Sequence, residues 1–180
     1  QGEILGGAAL GVCNVLCLTG DGVQAGDHPQ AKPVFDLDST SLLGIARGLR
    51  EEHRFESGRK ITFAPRVLLG AAENPNVSPV EHRAVRLAKK IAAGAQFVQT
   101  QYCYDIPLLR RFMTAVADAG LLEQVFILIG VGPLRTAKAG EWMRTHVPGV
   151  HIPDSVIERM RGARDQTREG LNLCVDLIQE

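Results

Sequence analysis

The sequence has 180 residues, of which 45% are hydrophobic and 22% are charged, an ordinary composition for one globular domain. Basic and acidic residues both number 20, so the net charge is zero and the basic excess of a nucleic-acid or anionic-membrane binder is missing. No apolar run reaches the roughly 20 residues of a membrane span, and no signal peptide opens the chain. We therefore expect a cytoplasmic protein that binds neither nucleic acid nor a membrane.

The cysteines and histidines predict neither a metal site nor a disulfide framework. Cys13 and Cys17 are four residues apart, unlike the C-x-x-C pair of redox and zinc sites, and Cys103 and Cys174 lie far along the chain. No histidines and carboxylates fall at metal-ligand spacing. We therefore expect buried free thiols in a reducing compartment and no bound metal.

Apolar runs of strand length recur four times along the chain. The run at residues 14–18 is almost continuously apolar, which predicts a strand that is buried on both faces. The other runs lie at residues 61–63 continuing through 67–70, at residues 97–101 and at residues 125–129. Each run ends in polar residues or in glycine and proline, as strands do before a loop.

Helical patterns follow each of these runs. Asp38 and Asp105 are candidate N-caps, and Ser78-Pro79-Val80-Glu81 is a capping box with proline at the first helical position. Further helices are predicted at residues 136–146, from residue 153 and at residues 168–180. Because strands and helices alternate with no hairpin pattern between them, the sequence predicts parallel βαβ units.

Polar residues stand where the predicted strands end, and parallel α/β folds place their sites at those carboxyl ends. Asp21 follows a glycine, so it is a candidate ligand contact or a simple loop cap. Gln101 ends an apolar strand and needs partners from the backbone or from a ligand. Lys89 and Lys90 are most simply a solvated helix face. No P-loop and no G-x-G-x-x-G after a strand is present, which argues against a Rossmann-type dinucleotide site.

Four segments resemble blocks of the methylenetetrahydrofolate reductase family, in the same order. They are residues 14–21 (NVLCLTGD), 92–101 (AAGAQFVQTQ), 129–134 (IGVGPL) and 150–153 (VHIP). The resemblance implies an α/β fold, a partial TIM-type (β/α)8 barrel with parallel strands and outer helices. The strands resemble the fourth to the seventh of that barrel, so the N-terminal strands and the last strand are missing. A complete barrel takes about 250 residues. We expect residues 1–180 to form a single domain, which is the C-terminal-half portion of such a barrel.

The resemblance also implies an activity. Members of this family pass hydride from NAD(P)H to FAD and then to 5,10-methylenetetrahydrofolate, which gives 5-methyltetrahydrofolate for methionine synthesis. The implied cofactors are FAD, with NAD(P)H as reductant, and the implied substrate is a folate. The choice between NADH and NADPH and the formation of a homo-oligomer stay open.

Site residues carry over position by position. Asp21 matches the catalytic aspartate beside flavin and folate, and Gln101 matches the glutamine that binds the pterin, whose edge suits a two-headed amide. The flavin contacts implied by the resemblance are Thr19, Gly20, Asp21, Asn74, Arg86, Lys89 and Lys90. The general acid of the family, a glutamate at the end of the first barrel strand, has no counterpart in this sequence. We therefore expect the activity to need the part of the barrel that is missing here.

The sequence departs from the family pattern at several of these positions. Many relatives have arginine in place of Thr19, His-Pro in place of Asn74-Pro75, and aspartate and asparagine in place of Arg83 and Arg86. These departures keep two alternatives open. One is a related flavin or folate enzyme of C1 transfer from methoxy compounds, and the other is a non-catalytic flavin- or folate-binding fragment.

Overall fold

The structure, a computed structural model, describes residues 1–24 and 26–180, and the backbone alone of Ala25. Its helices are α1 (Gly2–Ala9), α2 (Ser39–Arg47), α3 (Val80–Ala93), α4 (Ile106–Asp118), α5 (Ala137–His146), α6 (Asp154–Gly162) and α7 (Gln166–Gln179). A 3-10 turn spans Val23–Ala25, and a π-helical turn spans Gly48–Glu52. The strands are β1 (Asn14–Cys17), β2 (Leu68–Glu73), β3 (Phe97–Tyr102) and β4 (Phe126–Gly130). Among the described residues, no helix is long and apolar enough to cross a lipid bilayer.

The strands form one parallel sheet in the order β1-β2-β3-β4. The pairing of β1 with β2 runs from Asn14 opposite Leu68 to Cys17 opposite Ala71. The Gln96 N–H, directly before β3, donates to the Leu69 carbonyl oxygen at 2.8 Å. Strands in chain order with helices between them are the architecture of a partial TIM-type barrel, which confirms the predicted fold class.

The second strand is shorter than its apolar pattern predicts. It begins at Leu68, and residues 61–67 lie outside the sheet. Pro65 has no backbone N–H to give to a strand ladder. The apolar side chain of Phe63, which suggested a strand, is 86% exposed.

The prediction that the first strand is buried on both faces is wrong. Within β1 only Cys17 is buried, and Leu18, just beyond it, is half exposed. The strand lies at the end of the sheet and pairs with β2 alone, so it lacks the cover that a central strand has. The helix α1 was not predicted, because glycines at positions 2, 6 and 7 lower its helix propensity.

The other helices begin and end close to the predicted residues. The Asp38, Asp105 and Thr136 side chains accept hydrogen bonds from the backbone N–H groups of the first turns of α2, α4 and α5. Gly94 ends α3 with a φ of +119°, a conformation that suits glycine. The last helix begins at Gln166, two residues earlier than predicted, because the Asp165 carboxylate caps it.

Residue contacts divide the chain into two compact units. The first comprises Gln1–Ala72 and Ala88–Val98, and the second comprises Glu73–Leu87 and Gln99–Glu180. That residues 1–180 form a single domain stays a prediction.

The first unit buries one face of α2 together with parts of β1 and β2. Its fully buried side chains include those of Cys17, Leu43, Leu49 and Leu69. Arg47 extends from α2 to the carboxyl end of α3, where its guanidinium donates to the Ala92 carbonyl oxygen at 2.6 Å. This bond satisfies a carbonyl that has no partner within its own helix.

The core of the second unit lies among α5, α6, α7 and the loop before α5. The residues buried there are Tyr104, Leu134, Ala137, Val150, Ile152, Val156, Ile157, Met160 and Leu173. By contrast, β4 leaves large apolar side chains uncovered, since Phe126 is 75% exposed and Leu128 is 50% exposed. One face of the sheet in this unit is therefore open.

Among the glycines of the second unit, Gly170 in α7 has the least room for a side chain. A Cβ atom built on Gly170 would lie 1.7 Å from the Leu134 carbonyl oxygen. Gly162, at the end of α6, has open space around the same position. Two helical glycines therefore have opposite surroundings.

We predict that Gly170→Ala destabilises the chain by about 1–3 kcal/mol or more, because the helix must move away from Leu134. Gly162→Ala should be neutral or stabilising by up to about 1 kcal/mol, because alanine is the better helix former. Urea denaturation followed by circular dichroism measures both. Equal effects of the two substitutions would contradict the packing described at Gly170.

Candidate functional site

The carboxyl end of β1 carries Thr19, Gly20 and Asp21 in the first unit. The Thr19 hydroxyl oxygen accepts a hydrogen bond from the Ser39 N–H at 3.0 Å, which ties this loop to the first turn of α2. Gly20 has a φ of +85°, and both Gly20 and Asp21 are exposed. The Thr19 side chain therefore has a structural task, while Gly20 and Asp21 are open to a ligand.

The neighbouring cap of α2 has a clear electrostatic consequence. The Asp38 carboxylate accepts a hydrogen bond from the Ser41 N–H at 2.7 Å. The hydrogen bonds to Ser41 lower the pKa of Asp38 below its ordinary value. The loop after β1 thus ends at a helix N-terminus that already holds a negative charge.

The two lysines of α3 have different surroundings in the first unit. Lys89 is exposed, whereas Lys90 is only 7% exposed, so the prediction of a solvated face is wrong for Lys90. The Lys90 ammonium group donates a hydrogen bond to the Ala72 carbonyl oxygen in β2. Lys90 is buried because it lies three residues after Leu87, on the buried stripe of the helix. It supports the end of β2.

Glu73 is a buried carboxylate at the carboxyl end of β2, in the second unit. It is 4% exposed, and its Oε1 atom accepts a hydrogen bond from the Asn74 N–H at 3.1 Å. The Arg83 guanidinium, from α3, lies 3.7 Å from the same oxygen. Glu73 was not among the predicted site residues. A carboxylate that follows an apolar strand was the available indication.

Asn74 and Asn76 bond to distant segments of the second unit. The Asn74 side-chain amide donates to the Gly149 carbonyl oxygen at 2.9 Å. The Asn76 amide donates to the Tyr102 carbonyl oxygen at 2.9 Å and to that of Gly149 at 3.3 Å. The Asn76 N–H in turn donates to the Asn74 Oδ1 atom at 3.0 Å. Sequence reasoning missed Asn76, whose partners lie 26 and 73 residues away along the chain.

Gln101 lines an open cleft of about 560 Å³ between β3 and β4, together with Gln99, Thr100, Tyr102, Leu128, Ile129, Gly130 and Val131. Its Oε1 atom accepts a hydrogen bond from the Tyr102 N–H at 2.9 Å. Its Nε2 atom donates to the Pro148 carbonyl oxygen at 3.4 Å. An amide can donate two hydrogen bonds and accept two, so these contacts leave half of that capacity for a ligand.

The backbone that carries Gln101 is fixed by Thr100. The Thr100 hydroxyl accepts a hydrogen bond from the Gly130 N–H at 2.8 Å and donates to the Gln101 carbonyl oxygen at 2.9 Å. A Cβ atom at Gly130 would lie 2.7 Å from the Thr100 carbonyl oxygen, so glycine permits this approach. Burial raises the pKa of the nearby Cys103 thiol, which argues against a reactive thiolate there.

His151 and Asp105 contact each other near the end of β3. The His151 Nε2 atom lies 3.2 Å from the Asp105 carboxylate, which also caps α4 by accepting the Leu108 N–H at 2.9 Å. Residue 103 pairs with residue 151 in an isolated parallel bridge. The segment of residues 148–151 is therefore held at both of its ends.

The structure brings together some of the predicted site residues and not others. In the second unit, Asn74 and Gln101 bond to the adjacent carbonyls of residues 148 and 149. Arg86 is exposed on α3. No group of three or more histidine, cysteine, aspartate or glutamate side chains within residues 1–24 and 26–180 is arranged to hold a metal ion.

A parallel sheet with helices between its strands and polar side chains at its carboxyl ends is the arrangement of a partial (β/α)8-type barrel. The chain belongs to the methylenetetrahydrofolate reductase family, since the family model "Methylenetetrahydrofolate reductase" matches residues 2–180. The family assignment made from the four sequence blocks is thereby confirmed.

One solved structure with this fold is an uncharacterized protein from Clostridium thermocellum that binds two copies of 5-methyl-5,6,7,8-tetrahydrofolic acid. It has 15% sequence identity and a TM-score of 0.59, and the similarity covers 92% of this chain. The chain spans 59% of the length of that protein. No curated protein matches the sequence.

Tyr104, a buried residue two positions after β3, bears on the pH dependence of stability. Its hydroxyl donates to the Gly132 carbonyl oxygen at 3.0 Å. Burial, with smaller effects of Tyr102 and Cys174, raises the pKa of Tyr104 to about 12. Because the unfolded chain releases this proton near the ordinary pKa of about 10, stability falls as the pH rises from there towards about 12.

We predict that Tyr104→Phe reduces this alkaline loss of stability. The variant also loses one hydrogen bond, worth about 1 kcal/mol at neutral pH. Urea denaturation of both proteins between pH 8 and 11 measures the difference between the two slopes. Parallel pH profiles would show that Tyr104 is not the titrating group.

Proposed function

We propose that this protein takes part in the FAD-dependent reduction of 5,10-methylenetetrahydrofolate to 5-methyltetrahydrofolate with NAD(P)H, in cytoplasmic one-carbon metabolism that supplies methionine synthesis. The observation that carries the proposal is the family match over residues 2–180. Gln101 supports it, because its amide lines a cleft and keeps hydrogen-bonding capacity at the position that matches the family's pterin ligand.

The residues of the first unit fit a flavin nucleotide in part. Gly20 and Asp21 are exposed at a strand end, and Lys89 offers an exposed cation for a phosphate group. Lys90 donates to Ala72 within the fold, and the Thr19 hydroxyl holds the Ser39 N–H. Because these two groups already bond within the fold, Thr19 and Lys90 would hold the backbone of the site in place.

The second unit carries other residues that the resemblance assigns to flavin binding. Arg86 is an exposed cation that suits a phosphate. Asn74 bonds to Gly149 through its amide, so we propose that it supports the site from behind. Arg83, where relatives often have aspartate, lies beside the buried Glu73 carboxylate. These contacts agree with a binding site for the adenosine part of FAD that differs from the site in other family members.

When bound, FAD would take hydride from NAD(P)H and supply it to the folate. Asp21 would oppose additional negative charge on the reduced ring and help to polarise the folate. Gln101 would bind and orient the pterin through the remaining donor and acceptor of its amide. None of these residues matches the family's general acid.

Flavin uptake tests the proposal directly. The chain is purified, mixed with FAD, freed of excess ligand and examined by visible absorbance, and a bound flavin spectrum is expected. Bleaching of that spectrum by NAD(P)H and recovery on addition of the folate would follow. A chain that folds but retains no FAD would overturn the reductase proposal.

We predict that, in the complete enzyme, Asp21→Asn slows folate reduction by roughly 100-fold, the size of the loss when one preorganised electrostatic group is removed. Oxidation of NAD(P)H with an artificial acceptor should change far less, because Asp21 is assigned to the folate step. Asp36→Asn, at another exposed loop carboxylate, is the matched control. Equal losses in both half-reactions would remove Asp21 from this role.

A second candidate function is the binding of a tetrahydrofolate without flavin chemistry, including a role in C1 transfer from methoxy compounds. The observation in its favour is the similar fold of a protein that binds 5-methyl-5,6,7,8-tetrahydrofolic acid. The use of Asn74 and Arg83 within the fold agrees with it. Titration calorimetry with 5-methyltetrahydrofolate and no FAD distinguishes the two, since only this candidate predicts full affinity without the flavin.

A further inference from the structure

We infer that Asn76 is a positioning residue for folate recognition, because it fixes both backbone segments that hold the Gln101 amide. The inference rests on the proposed function in one respect, that Gln101 meets the folate. Its structural part concerns the orientation of the Gln101 side chain. Asn76 acts on Gln101 indirectly, through its hydrogen bonds to the backbone carbonyl oxygens of Tyr102 and Gly149.

The first segment is the end of β3. The Asn76 amide donates to the Tyr102 carbonyl oxygen at 2.9 Å, and the N–H of Tyr102 donates to the Gln101 Oε1 atom at 2.9 Å. Asn76 therefore restrains the residue that holds the acceptor half of the Gln101 amide. Release of this carbonyl would free Tyr102, which is 40% exposed, to change its backbone orientation.

The second segment is the turn at residues 148–149. The Asn76 amide also reaches the Gly149 carbonyl oxygen at 3.3 Å, and the adjacent Pro148 carbonyl oxygen accepts from the Gln101 Nε2 atom at 3.4 Å. The amide of Asn74 strengthens the same anchor through Gly149. The Oε1 and Nε2 atoms of Gln101 are therefore both bonded to backbone segments that Asn74 and Asn76 hold in place.

The chemistry of the residue explains why an asparagine suits position 76. Two carbonyl oxygens must be bonded by one short side chain, and a primary amide brings two N–H donors on a single nitrogen. An aspartate has the same shape but only accepts, so it would repel both carbonyls. The Asn76 N–H donates to Asn74 Oδ1 at 3.0 Å, which orients the whole loop.

A fixed Gln101 has a functional consequence. A glutamine side chain that is free in solution loses about 1.5–2 kcal/mol of conformational entropy when it is ordered. If the protein has already ordered it, the folate does not meet that cost on binding. Loss of Asn76 should therefore weaken folate binding without removing any group that touches the folate.

Three variants test the inference in the FAD-loaded protein: Asn76→Ala, Gln101→Ala and the double variant. Asn172→Ala is the matched control, because Asn172 is an exposed asparagine of the same unit and bonds only within α7, to Glu169. The dissociation constant of 5-methyltetrahydrofolate is measured for each. We expect Asn76→Ala to weaken binding about tenfold, as the loss of two hydrogen bonds of ordinary strength would allow. The control Asn172→Ala should keep both its dissociation constant and its NAD(P)H oxidation with an artificial acceptor within about twofold of the starting protein.

The double variant separates positioning from a general loss of structure. Since Asn76 acts through Gln101, Asn76→Ala should add little once Gln101 is alanine. Additive losses, or an unchanged dissociation constant in Asn76→Ala, overturn the inference. Asn76→Ser, whose hydroxyl can donate one hydrogen bond and does not repel the carbonyl oxygens, replaces Asn76→Ala if the alanine variant does not fold.

Nuclear magnetic resonance gives a readout that does not depend on folate. Asn76→Ala should shift the Gln101 side-chain amide signals and speed amide hydrogen exchange at residues 149–151, while Asn172→Ala leaves both unchanged. Unchanged signals in Asn76→Ala overturn the inference whether or not folate binds. If the starting protein binds no folate but these signals move, the proposed function fails and the positioning of Gln101 by Asn76 stands.

Discussion

The close approach of β3 and β4 at Thr100 and Gly130 is the constraint on which the second unit depends. Because residue 130 has no side chain, its N–H reaches the Thr100 hydroxyl at 2.8 Å, and that hydroxyl then donates to the Gln101 carbonyl oxygen. One hydroxyl thus satisfies a backbone donor and a backbone acceptor in a region that is largely buried. The position of Gln101 follows from this arrangement, and so does the cleft that its side chain lines.

The polar groups at the strand ends divide into two kinds. Some are buried and bonded within the fold, as the Lys90 ammonium group is to the Ala72 carbonyl oxygen. Others keep free capacity or stay exposed, as the Gln101 amide and the Asp21 carboxylate do. Burying a polar group without a partner costs roughly 1–3 kcal/mol, so the first kind stabilises the frame while the second kind is available for chemistry.

The sequence predicted local features well and distant contacts poorly. The N-cap at Asp105 could be predicted, because its hydrogen bond to Leu108 spans three residues. The burial of Lys90 was visible in the spacing from Leu87, but the charge of the side chain favoured a solvated interpretation. For the Gln101 side chain the sequence left two alternative hydrogen-bond partners, the backbone or a ligand, and the structure shows backbone partners. The role of Asn76 had no local indication, since both of its partners lie on other elements.

The approach of Gly170 to Leu134 has a consequence for how descendants of this sequence can diverge. A side chain at position 170 would occupy the place of a backbone carbonyl oxygen, so lineages that keep this helix packing must keep glycine there. Such a residue would stand out among relatives as strongly as a catalytic one, although it touches no ligand and carries no functional group. Invariance at that position would record steric exclusion between two main chains.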